Sequence, residues 1–565
     1  MTLLIQAANV RHAHGGNQIF EEISFEVKTG DRLALIGANG AGKSTLFRIM
    51  AGVLKPDGGA VTHQRGLRIG FLTQESGLGP ELTIHEAVAL AAGDPVALDE
   101  HLRMLEARMA EPLTDDELTA VMDEYGDTLA RMEAGERGEG DGETDVVLEG
   151  LRIPRERWNQ RISELSGGEK KLVALARLLV EHPDVLLLDE PDNHLDLAAK
   201  AWLETYLAGY RGAVATITHD RYLIDRIANE IFELEDGKIE VYPGNYTAFV
   251  TEKRRRRERA LELRELQERE FKKLKASAEQ LTQWARQNPK FSPRAENMRR
   301  KLAEERERLE QTAVPALTRR GIELEFEAER GATMVLEASS LAKSFGERVI
   351  AKPFDLVVRN NEHVGLVGPN GAGKTTLFRM ILGQEKSSGG ALRIGPAVVV
   401  GYYAQEQETL DPNTTPLEMV RGLRAYTEQQ AISFLGALRF DRHDALNKIR
   451  NLSGGEKARL QIGTLILGGA NFLLLDEPTN NLDIASVEVL EAALLEFNGT
   501  ILTISHDRYF LDKLCTRTIE IDGGIVRDYP GGFSYYQANR EKGTILTIGM
   551  SPRPAAGKPA KAAMR

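Results

Sequence analysis

Short apolar runs recur in both halves of the 565-residue chain, each stopping abruptly at a polar cluster. RLALI (32–36), VLLL (185–188) and AVATIT (213–218) lie in the first half, and FLLL (472–475) and TILTIS (500–505) in the second. Runs of this length without alternation suit strands of a parallel sheet buried on both faces. Residues 95–145 follow a helical period instead. There LDEHLRMLEARMA and LTAVMDEYGDTLARME predict two amphipathic helices, followed by a flexible acidic loop, GERGEGDGET. Between the halves, an Ala/Leu/Glu/Lys/Arg-rich stretch breaks at QNPKFSPR (287–294), where Pro289 and Pro293 interrupt helix. Two long helices are predicted there, packed antiparallel so that Leu261, Leu266, Leu274 and Leu281 meet Met298, Leu302 and Leu309. The pattern divides the chain into an α/β unit at 1–248, a helical hairpin at 249–330, a second α/β unit at 331–540 and a disordered tail at 541–565.

The polar clusters that end the apolar runs are written twice. GANGAGKST (37–45) returns as GPNGAGKTT (368–376), LSGGEK (165–170) returns unchanged at 452–457, LLLDEPDNHLD (186–196) as LLLDEPTNNLD (473–483), and THDRY (218–222) as SHDRY (505–509). A glutamine, Gln74 or Gln405, follows each loop lysine by 31 residues. One such motif is a hypothesis, but the whole set in matched order and register identifies a duplication.

Each motif has a chemical task. In the first phosphate loop Gly37, Asn39, Gly40 and Gly42 let the backbone turn tightly and aim successive N–H groups at a phosphate, and the following helix adds its positive end. Lys43 is placed to reach the β- and γ-phosphates of ATP, Ser44 to ligate Mg²⁺, and Thr45 to complete the loop. Gly368, Asn370, Gly371, Gly373, Lys374, Thr375 and Thr376 repeat the arrangement. Asp189 and Asp476 end apolar strands where open α/β sheets bind ligands, and are placed to hold Mg²⁺ through water. Glu190 and Glu477, next in line, are placed to polarise an attacking water. His219 and His506 each lie 29 residues past their glutamate, an offset that suits γ-phosphate sensors. Gln74 and Gln405 are placed to couple Mg²⁺ and the γ-phosphate to a helical subdomain.

These residues resemble those of the ATP-binding cassette family over roughly 1–248 and 331–540. The resemblance implies two P-loop cassettes paired head to tail within one chain, as a monomer, with two ATPs sandwiched between them. Each LSGGE would cap the nucleotide of the opposite cassette. Site one would join Lys43, Ser44, Gln74, Asp189, Glu190 and His219 to Ser453, Gly454 and Gly455. Site two would join Lys374, Thr375, Gln405, Asp476, Glu477 and His506 to Ser166, Gly167 and Gly168. Both sets are complete, so both sites are expected to hydrolyse ATP. Two departures single out site one. Asp192 stands where the second copy and the family have threonine (Thr479). His14 stands where Phe345 supplies the aromatic that stacks on adenine.

Composition narrows the setting. No apolar run approaches the roughly 18–20 residues needed to cross a bilayer, and MTLLIQAANVRHAHGG is not a signal peptide, so a soluble cytoplasmic protein is expected. The single cysteine, Cys515, excludes an internal disulfide or a cysteine-based zinc site and reads as a small buried residue. The chain carries a formal charge of −12, yet residues 251–320 hold 21 Lys and Arg against 12 Asp and Glu. Arg286, Lys290, Arg294, Arg299, Arg300 and Lys301 gather near the hairpin turn, with Trp284 and Phe291 among them. Charge-rich helices are ordinarily solvated spacers, but positive charge concentrated at a hairpin tip inside an acidic protein favours RNA.

A tandem cassette with such a linker resembles the ABC-F family. That resemblance implies a hairpin entering the ribosomal E site, with its tip toward the peptidyl transferase centre and the P-site tRNA, in contact with rRNA. The first copy has 44 more residues than the second between its glutamine and its signature serine. In the family such an insertion forms an arm toward the ribosome, and an enlarged helical subdomain without that contact is equally compatible. The expectation is a translation factor that uses ATP to modulate translation, in a housekeeping or stall-relief role. The alternatives are the soluble motor of a membrane transporter, which needs no basic hairpin, and a DNA-maintenance ATPase, whose cassette is split by a far longer coiled coil.

Overall fold

Each buried run is a strand, and the strands assemble so that motifs distant in sequence finish side by side. A computed structural model describes residues 2–15, 17–72, 78–93, 95–110, 142–193, 195–288, 290, 292–311, 334–404, 410–438, 440–480, 482–540 and 544–545, with 118–119, 121–122, 125–126 and 128–129 between them. In the first cassette the sheet runs Ile69–Leu72, Val185–Asp189, Ala213–Ile217, Arg32–Gly37, Glu230–Glu235, Lys238–Pro243. Its first five strands are parallel. In the second the order is Val400–Tyr403, Phe472–Asp476, Thr500–Ile504, His363–Val367, Arg517–Asp522, Ile525–Tyr529, Thr544–Ile545, with the last two antiparallel. Register places Asp189 beside Ile217 and Asp476 beside Ile504, so the Asp-Glu pairs, the histidines and the phosphate loops all leave the carboxyl ends of three adjacent strands.

A second layer covers one face of each sheet. It is a three-stranded antiparallel sheet, with Leu3–His14 between Asn17–Lys28 and Gly58–His63, and Met334–Phe345 between Arg348–Arg359 and Gly389–Ile394. Phe20, Phe25, Phe47, Leu187 and Ile217 close the core between the layers in the first cassette, and Phe354, Phe378, Phe472 and Ile504 in the second. The other face packs on helices Gly167–Val180 and Leu197–Gly209, or Gly454–Leu467 and Ile484–Leu495. Val185–Asp189 and Phe472–Asp476 are buried on both faces and apolar up to their final aspartate, which is why they show no alternation. Cys515 is buried beside Phe510 and Leu511, and burial pushes its thiol up.

The insertion in the first cassette begins with helix Pro95–Met109, burying Leu98, Leu102 and Leu105 on one face as its period requires. Residues described between 118 and 129 are helical, with Val121 buried, and the acidic loop lies mostly outside the described residues. No helix among the described residues is long and apolar enough to cross a membrane.

Residues Tyr242–Arg320 form a compact unit of their own. Helix Tyr246–Gln287 is 42 residues long, roughly 60 Å at 1.5 Å per residue. Asn245 caps it by accepting from the Ala248 amide at 3.1 Å. The second helix, Ser292–Gln311, carries Pro293 in its first turn, where the missing N–H costs no hydrogen bond. Pro289 lies outside the described residues. The helices meet through Ala278 and Ala295, small buried residues near the turn, with Leu274, Leu281, Met298 and Leu302 half-buried around them. The expected burial of Leu261 and Leu266 is not found, since they are 40% and 56% exposed. The described second helix has 20 residues against 42, and an antiparallel partner of that length ends before it reaches them. The side chain of Leu309 lies outside the described residues.

Leu474 is fully buried at the centre of the second sheet. Leu474→Ala is expected to cost about 2–5 kcal/mol through lost transfer energy and the cavity left behind. A matching fall in the thermal melting midpoint checks this.

Candidate functional site

The phosphate loops are built on glycines in left-handed backbone conformations that other residues rarely adopt. Gly42 and Gly373 cap the following helices in the left-handed region, at φ 100° and 102°. A Cβ on either would lie 2.3 Å from Ile19 or 2.2 Å from Ile350. Helices Lys43–Met50 and Lys374–Ile381 begin there, aiming their N-terminal ends at the loop. Serine or threonine follows each lysine: Ser44 and Thr45 in the first cassette, Thr375 and Thr376 in the second. Lys43 donates to the carbonyls of Gly37 and Ala38 at 2.8 and 2.9 Å, and Lys374 to those of Gly368 and Pro369 at 2.7 and 3.0 Å. Burial lowers both ammonium pKa values, opposed by Asp483, Glu190 and Asp189 around Lys43 and by Glu477, Asp196 and Asp476 around Lys374. One acid in each set, Asp483 or Asp196, comes from the other cassette.

The acidic pair faces the same loop. Asp476 accepts from the Thr375 and Tyr402 hydroxyls, which oppose the rise that burial imposes on its carboxyl. Glu190 and Glu477 share a left-handed backbone, each at φ 49°, with their amides bonded to Ile217 and Ile504 at 2.8 and 2.9 Å. Glu477 accepts from the His506 amide at 3.2 Å, and its other oxygen lies 3.4 Å from the ring Nε2. The corresponding His219–Glu190 approach is 3.8 Å, and Glu190 also accepts from Asn193. Burial pushes Glu477 up to about 7 and raises Glu190 too, Asp189 and Asp192 adding to the latter. Burial holds His219 down at about 4 and His506 well below its usual range, so both rings are neutral. Gln74 and Gln405 lie outside the described residues.

Neither site is made by one cassette alone. A cavity of about 640 Å³ joins Asn370, Gly371, Gly373, Lys374, Thr375, Thr376, Asp476, Glu477 and His506 to Asp192, Asn193, Leu195 and Lys200 of the first cassette. An adjoining cavity of about 490 Å³ places Ser166, Gly168 and Glu169 against Pro369 and Asn370. Ser166 is the N-cap of its helix in a reciprocal box with Glu169, and Ser453 does the same with Glu456. Gly167 and Gly454 open those helices, with Gly168 and Gly455 next. Arg157 with Ser166 holds the Glu169 carboxyl down at about 2. At the first site the Asn39 amide donates to Asp483 of the second cassette at 3.1 Å.

The first cassette's departures from the second resolve differently. Asp192 is buried, accepts from Thr218 at 2.6 Å and lies 3.6 Å from the Lys200 ammonium. It is therefore a paired charge lining the second site's cavity. Phe345 stands on that cavity's wall with the Lys343 ammonium 4.3 Å from its ring centroid. His14 is exposed at the end of the matching strand. Three further lining or supporting residues carry no motif: Arg348, Lys200 and Tyr402. The duplication itself marks them, since the other copy has Asn17, Val487 and Phe71 at those places. In the hairpin unit, Lys290, Arg294, Arg299, Arg300 and Lys301 are exposed around the turn, Arg300 lying 3.8 Å from Glu304. The Arg286 side chain and Phe291 lie outside the described residues.

The family described as ABC transporter matches residues 20–193 and 351–480, and a companion of the same description matches 232–320. The energy-dependent translational throttle protein EttA of Haemophilus influenzae is 38% identical over 539 residues, 93% of each chain. EttA of Escherichia coli K12 is 38% identical over 545 residues, 95% of each. The chain belongs to the ABC-F ATPases. The fold also resembles that solved for the complex of archaeal ribosomal stalk protein aP1 and ribosome recycling factor aABCE1. The TM-score is 0.55 at 20% identity, covering 91% of this chain and 87% of that one.

The ABC-F site fits a magnesium nucleotide. Its cavity falls in the roughly 300–1,000 Å³ range of small-molecule sites. Buried polar atoms face it without hydrogen-bond partners among the described residues: Glu477 Oε1, His506 Nδ1 and, at the first site, both His219 ring nitrogens. The raised Glu477 carboxyl makes its own prediction. In the nucleotide-free protein it gives stability at low pH that is lost as pH rises from 4.5 through about 7. Glu477→Gln, which cannot ionise, is expected to gain on the order of 1–3 kcal/mol over the parent above that window and nothing at its acid end. Melting curves at the two pH extremes check this.

Proposed function

We propose that this protein is a ribosome-associated ATPase that regulates translation, coupling ATP binding and hydrolysis at two composite sites to engagement of the ribosome. The observation that carries the reading is the near-full-length likeness to translational throttle proteins, 38% identical over 93% of both chains. The separate basic helical unit supports it, since clustered Lys and Arg neutralise phosphates of RNA.

In the proposed cycle Lys374 and the P-loop amides bind the triphosphate, with Ser166, Gly167 and Gly168 of the first cassette capping it. Lys43, with Ser453, Gly454 and Gly455, does the same at site one. Thr375 with Asp476, and Ser44 with Asp189, would hold Mg²⁺, while Gln405 and Gln74 would couple it and the γ-phosphate to the helical subdomains. When bound, the metal neutralises charge on the β- and γ-phosphates. Glu477 and Glu190 orient the attacking water and take its proton, for which a carboxyl shifted toward neutrality is suited. Neutral His506 and His219 present ring nitrogens to the γ-phosphate. Phe345 and His14 stack on adenine. ATP favours the joined cassettes because its binding groups come from both, which is a population shift. The joined state sets the hairpin for the E site, where Arg286, Lys290, Arg294, Arg299, Arg300 and Lys301 contact rRNA and the P-site tRNA. Hydrolysis releases it.

The Glu190→Gln/Glu477→Gln protein should bind ATP without hydrolysing it and co-sediment with ribosomes in ATP but not in ADP at moderate salt. Absence from ribosomes in both nucleotides, with recovery in a membrane fraction, would overturn the proposal.

A further inference from the structure

Two differences between the cassettes belong together. Where the second cassette has Thr479 and Val487, the first has Asp192 and Lys200. The second pair is neutral: Thr479 lies 3.3 Å from the Ser505 hydroxyl, and Val487 is buried in an apolar cluster with Leu482 and Leu490. The first pair is ionic. Lys200 is 8% exposed, donates to Asp220 at 3.0 Å and lies 3.6 Å from Asp192, so two carboxylates of its own cassette hold a buried cation in place.

That cation crosses to the other cassette. Lys200 Nζ donates to the backbone carbonyl of His506 at 3.4 Å and lines the cavity that holds Lys374, Asp476 and Glu477. His506 is thereby gripped on both sides of its α-carbon, its N–H by Glu477 at 3.2 Å and its carbonyl by Lys200. The place equivalent to Lys200 in the second cassette is a valine, which has no donor to offer the first site.

We propose that Lys200 is a positioning residue of the second ATP site, a buried cation that the first cassette inserts to fix the His506 backbone against Glu477, so that hydrolysis there depends on cassette pairing in a way that hydrolysis at the first site does not. A long ammonium side chain anchored by two carboxylates holds its position better than a solvated one, and a charge-assisted bond to a carbonyl is stronger than a neutral one. Asp192 follows from the same device. A cation buried at this interface needs a compensating charge, and the carboxylate substituted for threonine supplies it. The inference rests on the hydrolytic reading above.

The test uses full-length protein in two backgrounds, Glu190→Gln to leave Glu477 as the working glutamate and Glu477→Gln to leave Glu190. Single-turnover hydrolysis of pre-bound ATP and ATP affinity are measured for each, alone and with Lys200→Met or Lys200→Arg. Lys200→Met is expected to slow hydrolysis about tenfold more in the Glu190→Gln background than in the other, with ATP affinity changed less than about twofold. Lys200→Arg should recover most of the rate. Because Lys200→Met strands Asp192, a Lys200→Met/Asp192→Thr protein, mirroring the second cassette, is included. It should melt like the parent and still be slow. Equal slowing in both backgrounds, a loss of affinity instead of rate, or a normal rate in the paired substitution would each overturn the inference. If the Glu190→Gln parent bearing Lys200 hydrolyses nothing, the hydrolytic reading itself fails and takes the inference with it.

Discussion

The two cassettes are held in register by a buried, reciprocal contact between their His-Asp-Arg-Tyr segments. Arg221 pairs with Glu491 and stacks over Tyr509 at 5.0 Å, while Arg508 pairs with Glu204 and stacks over Tyr222 at 4.7 Å. The two tyrosine rings meet edge to face at 4.7 Å between them. All four charged groups are nearly inaccessible, and both arginines find their carboxylates on the opposite cassette, Asp507 adding to Glu491 around Arg221 and Asp220 to Glu204 around Arg508. Ion pairs of this kind gain little over the same charges in water, because desolvation offsets the attraction, yet a mismatched pairing leaves a buried charge uncompensated. The contact is therefore strict about register and sparing in affinity, which suits an interface that must open and re-form.

The composite sites follow from that register. With the arginine segments in contact, Asp483 reaches the Asn39 amide and the Ser166 helix comes up against Asn370. The sheet topology does the rest by delivering loop, acids and histidine from the ends of three neighbouring strands. The sites are not identical, however. Asp476 has the Tyr402 hydroxyl where the first cassette has Phe71, and Glu477 feels the charge of Lys200 from the first cassette where the second cassette has only Val487 to offer the first site. These differences all load polar groups onto the second site.

Much of this was legible in the sequence because the relevant signals are local. Buried strands are short apolar runs, the phosphate loop is a glycine pattern, and the signature serine announces its helix cap by the glutamate three residues on. What stayed hidden depends on neighbours from elsewhere in the chain. Asp192 read only as a departure from threonine at the first site, because it takes the folded loop and helix to bring Lys200 to it and place both on the wall of the second site's cavity. Leu261 and Leu266 read as buried because two long helices are expected to pack antiparallel along their whole length. Whether a helical stripe is covered depends on the length of its partner, which composition does not mark.

The claim on which the account turns is that each site is completed by the opposite cassette, and Ser166→Arg tests it most directly. The arginine would place bulk and charge where the first cassette's signature faces Asn370. The account predicts that single-turnover ATP hydrolysis falls about a hundredfold or more in the Glu190→Gln background, where only the second cassette's glutamate works, and far less in the Glu477→Gln background. Loss confined to the Glu477→Gln background would mean that each signature serves its own cassette, and would contradict the account.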